Sequence, residues 1–518
     1  MDQTLILVDE KDNFLGYASR GECHRGKGKR HRAFVTLLFD SQNRVLLQRR
    51  KHRLFDNLWD LTAISHPLHL AGEDEDYQIA SDRALKKEMG IGHILVKKVG
   101  AFNYFARHGQ DCENEYCAVL IGKYNGDYTP NPREVYEAKK IDFEEFVKDV
   151  QETLQKYTPW AKEAIKVLKD FKTNHFKAEL EKFLIEFNKF SKSFFSKKRL
   201  LVKKYPRLIE NFYENLEDFN HGGKAMRPFL VYLGYRVVRG KDLKKILPIC
   251  LAHELIHAFL LIHDDIIDKS KIRRGKPTIH EKYKKLFDAH YGVSQAIVLG
   301  DMASFEALNL VVKADFEDSL KIVCLEKLLE VVVQTTYGQA LDVEYSYTKP
   351  NLAAIRKMTD LKTARYSFVG PLTVGAILGR ANKSQFKALA NFGLAVGTAF
   401  QLQDDILGVF GDEKITGKST LSDLVEGKNT LLIYKAKELA GKKEKKLLAR
   451  LWGKENAEKS DLEQVKEIIV QSGALAWCDK KKEKLVDKAK SYLAKVTPDL
   501  EIKLLFSQMA NFIIERQS

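Results

Sequence analysis

Two short acidic runs could do most of the chemistry in this sequence. One is Asp264-Asp265-Ile-Ile-Asp268, which closes an apolar stretch beginning near His257; the other is Gln401-Leu-Gln403-Asp404-Asp405, about 140 residues later in another apolar run. On a helix, Asp264 and Asp268 lie one turn apart on one face, with Asp265 beside them. Carboxylates aimed into apolar surroundings repel one another unless a cation holds them. Mg2+ suits such a place, because it takes oxygen ligands and is usually bound by few carboxylates together with substrate phosphates. One aspartate pair alone is ordinarily a solvated helix cap. Here two pairs recur inside apolar helices with cations beside them: Lys224 and Arg227 in GGKAMRP, Arg273 and Arg274, Lys362, and Lys418. Two facing aspartate helices, with Asp264, Asp265, Asp268, Asp404 and Asp405 as the expected metal ligands, and that many cations describe a metal clamp for two diphosphates.

The first third of the chain holds a different set, His24, His31, His66, Glu113 and Glu115. Glu113 and Glu115 share a face if their stretch is a strand. Three imidazoles and two carboxylates suit Zn2+ or Mn2+, although any one of these histidines alone reads as an ordinary surface residue.

The elements that must position these groups differ between the two ends. Residues 1 to about 170 alternate in short β-like runs: TLILVD with a turn at Glu10 to Asn13, then AFVTLLF and VLLQRR as a hairpin. A helix ends in ASDRALKKEM with Gly90 just past it, which gives an α+β reading. From about Thr173 apolar residues recur at three and four spacing, so the second domain reads as all-α. The expected domains are 1–172 and 173–518, with the lysine-rich helical stretch 161–200 running from one into the other.

Composition narrows the classes. A chain of 518 residues is long for one core, and 44% hydrophobic content without an apolar run near eighteen residues predicts two filled domains and no membrane span. The first residues lack the basic and apolar regions of a signal peptide, so the cytosol is expected. Six scattered cysteines with no CxxC pair suggest neither a disulfide framework nor a zinc knuckle. The net charge of +16 sits mostly on solvated amphipathic helix faces such as KKEKKLLARLWGK, which argues for small polyanions over nucleic acid.

Nearly all of residues 175 to 518 resembles the trans-type polyprenyl synthases. The family's GGKxxRP motif reads Gly222-Gly223-Lys224-Ala-Met-Arg227-Pro228, its first aspartate-rich motif reads DDIID, and its FQxxDD motif spans Phe400 to Asp405. The resemblance implies that Lys224, Arg227, His257 and Arg274 hold isopentenyl diphosphate, and that Arg273, Lys362 and Lys418 hold the allylic diphosphate. It further implies that Asp264, Asp268 and Asp404 bind three Mg2+ and that Gln401 and Thr363 line the allylic site. Phe259 and Leu260, about one turn deeper on the helix of Asp264, would floor the cavity for the growing chain and keep products at farnesyl or geranylgeranyl length. The family usually dimerises through helices. One departure is Gly408, where many members carry a further aspartate. A noncatalytic partner subunit is the alternative, but such subunits would be expected to lack these aspartates.

Residues 1 to 170 resemble type 1 isopentenyl diphosphate isomerase, a Nudix-fold family. The resemblance makes His24, His31, His66, Glu113 and Glu115 its metal site, Trp160 and Tyr104 its pocket aromatics, and Arg49, Arg50 and Lys51 its diphosphate cations. Glu88 would hold a second metal, Mg2+, on the substrate. The family's cysteine two residues before the histidine is Ile64 here. A Nudix hydrolase and a catalytically silent accessory domain remain alternatives, although the hydrolase box reads Arg83-Ala84-Leu85-Lys86-Lys87-Glu88 and lacks two of its three glutamates. The implied whole is an α+β Nudix-like domain followed by an all-α isoprenoid synthase bundle. The first would make dimethylallyl diphosphate, and the second would condense it with further isopentenyl units.

Overall fold

A computed structural model of the chain describes residues 3–42, 44–221, 223–238, 240, 242–411 and 420–515. The chain divides into two compact units, Met1–His175 and Phe176–Ser518.

The first unit is built on one sheet. In chain order its elements are β1 (Thr4–Val8), β2 (Phe14–Ser19), α1 (Arg20–Cys23), β3 (His31–Phe39), β4 (Arg44–Arg50), β5 (Trp59–Asp60) and β6 (Ala63–Ser65). There follow β7 (His69–Leu70), β8 (Glu73–Asp74), α2 (Tyr77–Met89), β9 (Val96–His108), β10 (Asp111–Lys123), β11 (Val135–Asp142) and α3 (Phe143–Glu152). Strand β3 is the spine: β10 runs parallel along it, and β1, β4 and β6 pair antiparallel with it. Because side chains alternate across a strand, one parity of β3 and β10 meets the helix and the other is free for chemistry. Phe34, Leu38, Ala118 and Leu120 share a buried cluster with Ala80, Ala84, Leu85 and Met89 of α2. His31, Glu113 and Glu115 take the opposite parity, and the register sets Glu115 beside His31. Helix α2 stops at Gly90, whose φ of 67° is the left-handed conformation that glycine adopts without strain.

Helix α4 spans Pro159–Val202, and the division between units falls within it. The second unit continues through α5 (Arg207–Asn220), α6 (Met226–Arg236), α7 (Leu243–Ile267), a two-stranded ribbon of β12 (Ile272–Arg273) and β13 (Lys276–Pro277), α8 (Ile279–Lys284), α9 (Ala289–Lys313) and α10 (Asp318–Tyr347). Then come α11 (Leu352–Thr359), α12 (Gly370–Leu378), α13 (Lys383–Phe410), α14 (Leu421–Glu426), α15 (Leu431–Leu439) and further helices to Glu515. Helix α7 is the core, with buried residues on every side from Ile246 to Ala258.

Both α7 and α9 are long and apolar enough to cross a membrane by length and composition, but the apolar window of α7 is 72% buried inside the unit and that of α9 is 33% buried. The outward side of α9 carries Val298, Phe305 and Val312 at heptad spacing, and α10 adds Ile322, Leu329, Val333 and Tyr337, all exposed.

Between α11 and α12 the chain widens into a π-helical turn, Asp360–Val369. Such wide turns concentrate at functional sites, where they re-aim side chains. Helix α10 crosses this turn at Gly338, and a Cβ added there would run into the backbone nitrogen of Lys362. Only glycine lets the two backbones approach so closely.

Candidate functional site

The acidic end of α7 meets cations from two other elements, the π-helical turn and the ribbon β12–β13. Asp264 is in the last turn of the helix, and Asp268 caps it, donating its backbone N–H to the Asp264 carbonyl at 2.8 Å. The π-helical turn aims Lys362 at this end, with Nζ 3.4 Å from Asp264 and in hydrogen-bond contact with Asp342 of α10. Burial lowers the Lys362 pKa, but Asp264 and Asp342 outweigh it, so the ammonium is held charged. Burial first, and then the like charge of Asp264, raise the Asp268 carboxyl to about 6. Two carboxylates that resist ionising together are the donor set a divalent cation would relieve, so Asp264 and Asp268 fit Mg2+.

The ribbon β12–β13 turns through Arg274 and Gly275, whose φ values of 51° and 74° are the two positive angles of a type I′ turn. This aims Arg273 back at α7, where its Nε lies 2.8 Å from both oxygens of Asp265 and its guanidinium 3.7 Å from Asp264. Asp265 is 1% exposed and serves as the anchor of Arg273. Arg274 lies over the backbone of Gly223 beside the buried Glu254 and donates to the Phe219 carbonyl at 3.1 Å. Arg227 donates to Ser367 at 2.9 Å and lies 4.6 Å over the Tyr366 ring; the Tyr366 hydroxyl pairs with His257 Nδ1 at 2.7 Å. Burial, followed by Arg227 and Arg274, drives the His257 pKa well down, so the ring is neutral. Lys224 is exposed at the entry to α6, next to Ala225 with its left-handed φ of 42°. Gly222 and Lys418 lie outside the described residues.

On α13, Asp404 is half-buried and Asp405 turns inward. Gln401 Nε2 donates to Asp405 at 2.8 Å, and burial raises the Asp405 carboxyl to about 7. The sequence reading made Asp265 and Asp405 metal ligands. Helical geometry gives them other partners, because each follows its neighbour by one residue and so rotates toward the interior. Thr363 is in the π-helical turn beside Lys362. Phe259 packs its ring 4.8 Å from His263, which lies over Gly300 of α9, and both Phe259 and Leu260 rest against the core.

In the first unit, His24, His31, His66, Glu113 and Glu115 are all buried and offer donor atoms within 4.8 Å of one another. Ligands on opposite sides of one ion with bonds of about 2.0–2.2 Å stand roughly 4 Å apart, so the cluster has the size of a single site. The ring nitrogens face the carboxylates across this centre, His24 Nε2 at 3.0 Å from Glu113, His66 Nε2 at 2.8 Å from Glu115 and His31 Nε2 at 3.6 Å from it, so the buried lone pairs converge as a metal's ligands do. The residues fit Zn2+ or Mn2+. Tyr104 donates to Glu115 Oε2 at 2.6 Å, and its ring lies 5.8 Å from that of Trp160. Burial keeps the Tyr104 hydroxyl protonated, raising its pKa well above the usual value.

The three cations at 49–51 do not converge. Arg50 pairs with the buried Asp60 at 2.9 Å and lies 4.9 Å over Trp160, whose Nε1 donates to the same carboxylate at 2.8 Å. Arg49 and Lys51 project from the opposite face onto Tyr136, and Arg49 pairs with Glu137 at 3.1 Å. Strand parity separates what adjacency in sequence had grouped. Glu88 accepts from Gln48 at 2.6 Å, and burial raises its carboxyl to about 7. Sequence reasoning missed Asp342, Glu254, Tyr366, Asp60 and Lys428. The one signal among them was Glu254, an acid inside the apolar run of α7.

The polyprenyl synthetase family model matches residues 208–469, and the NUDIX domain model matches 29–163. A geranylfarnesyl diphosphate synthase from Aeropyrum pernix is 33% identical over 303 residues, which cover 57% of this chain and 91% of that protein. A geranylgeranyl diphosphate synthase from Saccharolobus solfataricus is 36% identical over 278 residues, covering 50% and 79%. Among solved structures, the geranylgeranyl pyrophosphate synthase of Corynebacterium glutamicum, complexed with isoprenyl diphosphate and magnesium, superposes with a TM-score of 0.62 at 28% identity, over 65% of this chain and 99% of that one.

His253, about three turns back from the acidic end of α7, gives a pH test of this buried region. Its Nδ1 bonds the Ile249 carbonyl at 3.0 Å, and burial drops its pKa to about 4. An unfolded histidine titrates near 6.5, so the folded state binds fewer protons. Stability from a neutral His253 is therefore complete above pH 6.5 and declines as pH falls toward 4. Denaturant unfolding of His253→Phe should show a flatter loss across that window, by up to about 1.4 kcal/mol per pH unit.

Proposed function

From the premise that the chain belongs to the polyprenyl synthetase family and carries a NUDIX domain ahead of it, we propose that this short-chain prenyl diphosphate synthase is Mg2+-dependent and is coupled to isopentenyl diphosphate isomerisation. The observation that carries the synthase reading is Lys362, held between Asp264 and Asp342 at the mouth of an otherwise apolar helix. Lys362 and Arg273 would receive the diphosphate of the allylic substrate. Lys224, Arg227 and Arg274 would hold that of isopentenyl diphosphate, with neutral His257 as a donor that adds no charge. Mg2+, held by Asp264, Asp268 and Asp404, would supply the positive charge that draws the diphosphate away from the allylic carbon. Arginines fixed by Asp265 and Ser367 need not reorganise as that charge develops. The isopentenyl double bond then attacks the allylic carbon, and the departing diphosphate takes the proton.

In the NUDIX domain the histidine and glutamate cluster would hold Zn2+ or Mn2+, and Mg2+ would bind through Glu88. Glu115 and Tyr104 share a hydrogen bond beside Trp160, whose ring face suits a tertiary cation. This pair would move the protons in place of the cysteine missing at Ile64. Ala84 and Lys87 stand where a hydrolase box has acids. Release of phosphate from isopentenyl diphosphate, without dimethylallyl product, would assign hydrolysis instead.

Condensation of dimethylallyl with isopentenyl diphosphate should vanish in Asp264→Ala and in Asp404→Ala while the unfolding midpoint without ligand is kept. Near-normal turnover by either variant would sink the clamp. Phe259→Ala should lengthen the product beyond the farnesyl or geranylgeranyl ester, and an unchanged chromatographic distribution would put the cavity floor elsewhere. The exposed apolar stripe of α9 and α10 supports pairing with a second copy of the chain. Sedimentation should therefore give twice the chain mass, and a single-chain mass would remove that assignment.

A further inference from the structure

The Trp160 ring on which the isomerisation reading leans already has a cation against it. The Arg50 guanidinium lies 4.9 Å over the buried ring, so a second cation in the pocket can meet only the other face. An uncompensated charge there would oppose one forming across the ring, because both draw on the same π electrons and repel each other. Asp60, buried at the end of β5, supplies the compensation, and its two oxygens have separate partners. Oδ2 accepts from Arg50 at 2.9 Å. Oδ1 accepts from the Leu61 backbone N–H at 2.8 Å, the Thr158 hydroxyl at 2.9 Å and the Trp160 indole N–H at 2.8 Å. Thr158 and Trp160 flank Pro159, the first residue of α4, so one carboxylate fixes both the indole and the guanidinium that covers it. Phe55 meets the same ring edge-on at 5.4 Å. The Arg50 side chain is only 12% exposed, which leaves little of it for a substrate.

We propose that Asp60 is a positioning residue of the isomerisation site, holding the Trp160 ring and cancelling the charge of the guanidinium over it, so that Arg50 serves the aromatic wall and not the substrate diphosphate. The pairing leaves the wall neutral as a whole. Positive charge that forms when the isopentenyl double bond takes up a proton then meets ring electrons and no net cation. Arg50 thereby leaves the set expected to bind diphosphate. The inference rests on the reading of this unit as an isomerase.

The test is steady-state kinetics of the full chain with Mg2+ and Zn2+ or Mn2+, and isopentenyl diphosphate as sole substrate. Every allylic product then begins with one isomerisation, so the initial rate of allylic diphosphate formation reads this site. Asp60→Asn keeps an oxygen for Trp160 and Thr158 but no charge for Arg50. It should lower kcat by about 30-fold, the effect of one unit charge roughly 8 Å away at an effective dielectric constant of about 20, and leave KM unchanged. Arg50→Met with Asp60→Asn removes both charges and should regain most of the lost kcat at an unchanged KM, which a purely structural tie between β5 and α4 would not give. Where Asp60→Asn alone lowers the unfolding midpoint, the double variant, which buries no unpaired charge, carries the test through its KM. A raised KM in the double variant overturns the proposal, because Arg50 then holds the diphosphate, and so does an undiminished kcat in Asp60→Asn. A wild-type chain that forms no allylic product overturns the isomerase reading itself, and the proposal with it.

Discussion

Two like charges at the end of a buried helix are the constraint to which the rest of the synthase unit responds. Asp264 and Asp268 lie one turn apart on α7, and burial together with their mutual repulsion already moves Asp268 to about 6. Each neighbouring feature lowers that cost. The π-helical turn brings in Lys362, and the Arg274–Gly275 turn brings in Arg273. Gly338 is the backbone condition for the first of these. A site whose charges are fixed before substrate arrives spends little on reorganisation when diphosphate leaves, which is the main route by which such sites accelerate reactions.

The first unit solves a related problem with different groups. His31, Glu113 and Glu115 on one parity of the sheet meet His24 and His66, and their buried donor atoms all lie within 4.8 Å of one another. Beside them, Asp60 ties Arg50, Thr158 and Trp160 into one knot. The aromatic wall is thereby rigid, and Arg50 is committed to it. With Ile64 in place of a thiol, Tyr104 and Glu115 are the groups in this pocket that join a proton donor to a carboxylate.

Much of this was legible from local pattern. The change from β-like alternation to helical spacing, the Gly90 helix end and the shared face of Glu113 and Glu115 all follow from periods of two and 3.6 residues. The same periods, applied residue by residue, would have separated Arg50 from Arg49 and Lys51, and Asp264 from Asp265. Proximity in sequence was taken for proximity in space. Asp342 was not legible, since its importance arises where α10 meets the π-helical turn, and no spacing within one segment encodes that.

The central claim is that one chain both makes its own allylic primer and extends it. Purified full-length protein, given labelled isopentenyl diphosphate as sole substrate with Mg2+ and Zn2+ or Mn2+, should yield labelled dimethylallyl diphosphate and then prenyl diphosphates of farnesyl or geranylgeranyl length. Label remaining entirely in isopentenyl diphosphate, with elongation appearing only when dimethylallyl diphosphate is added, would contradict it.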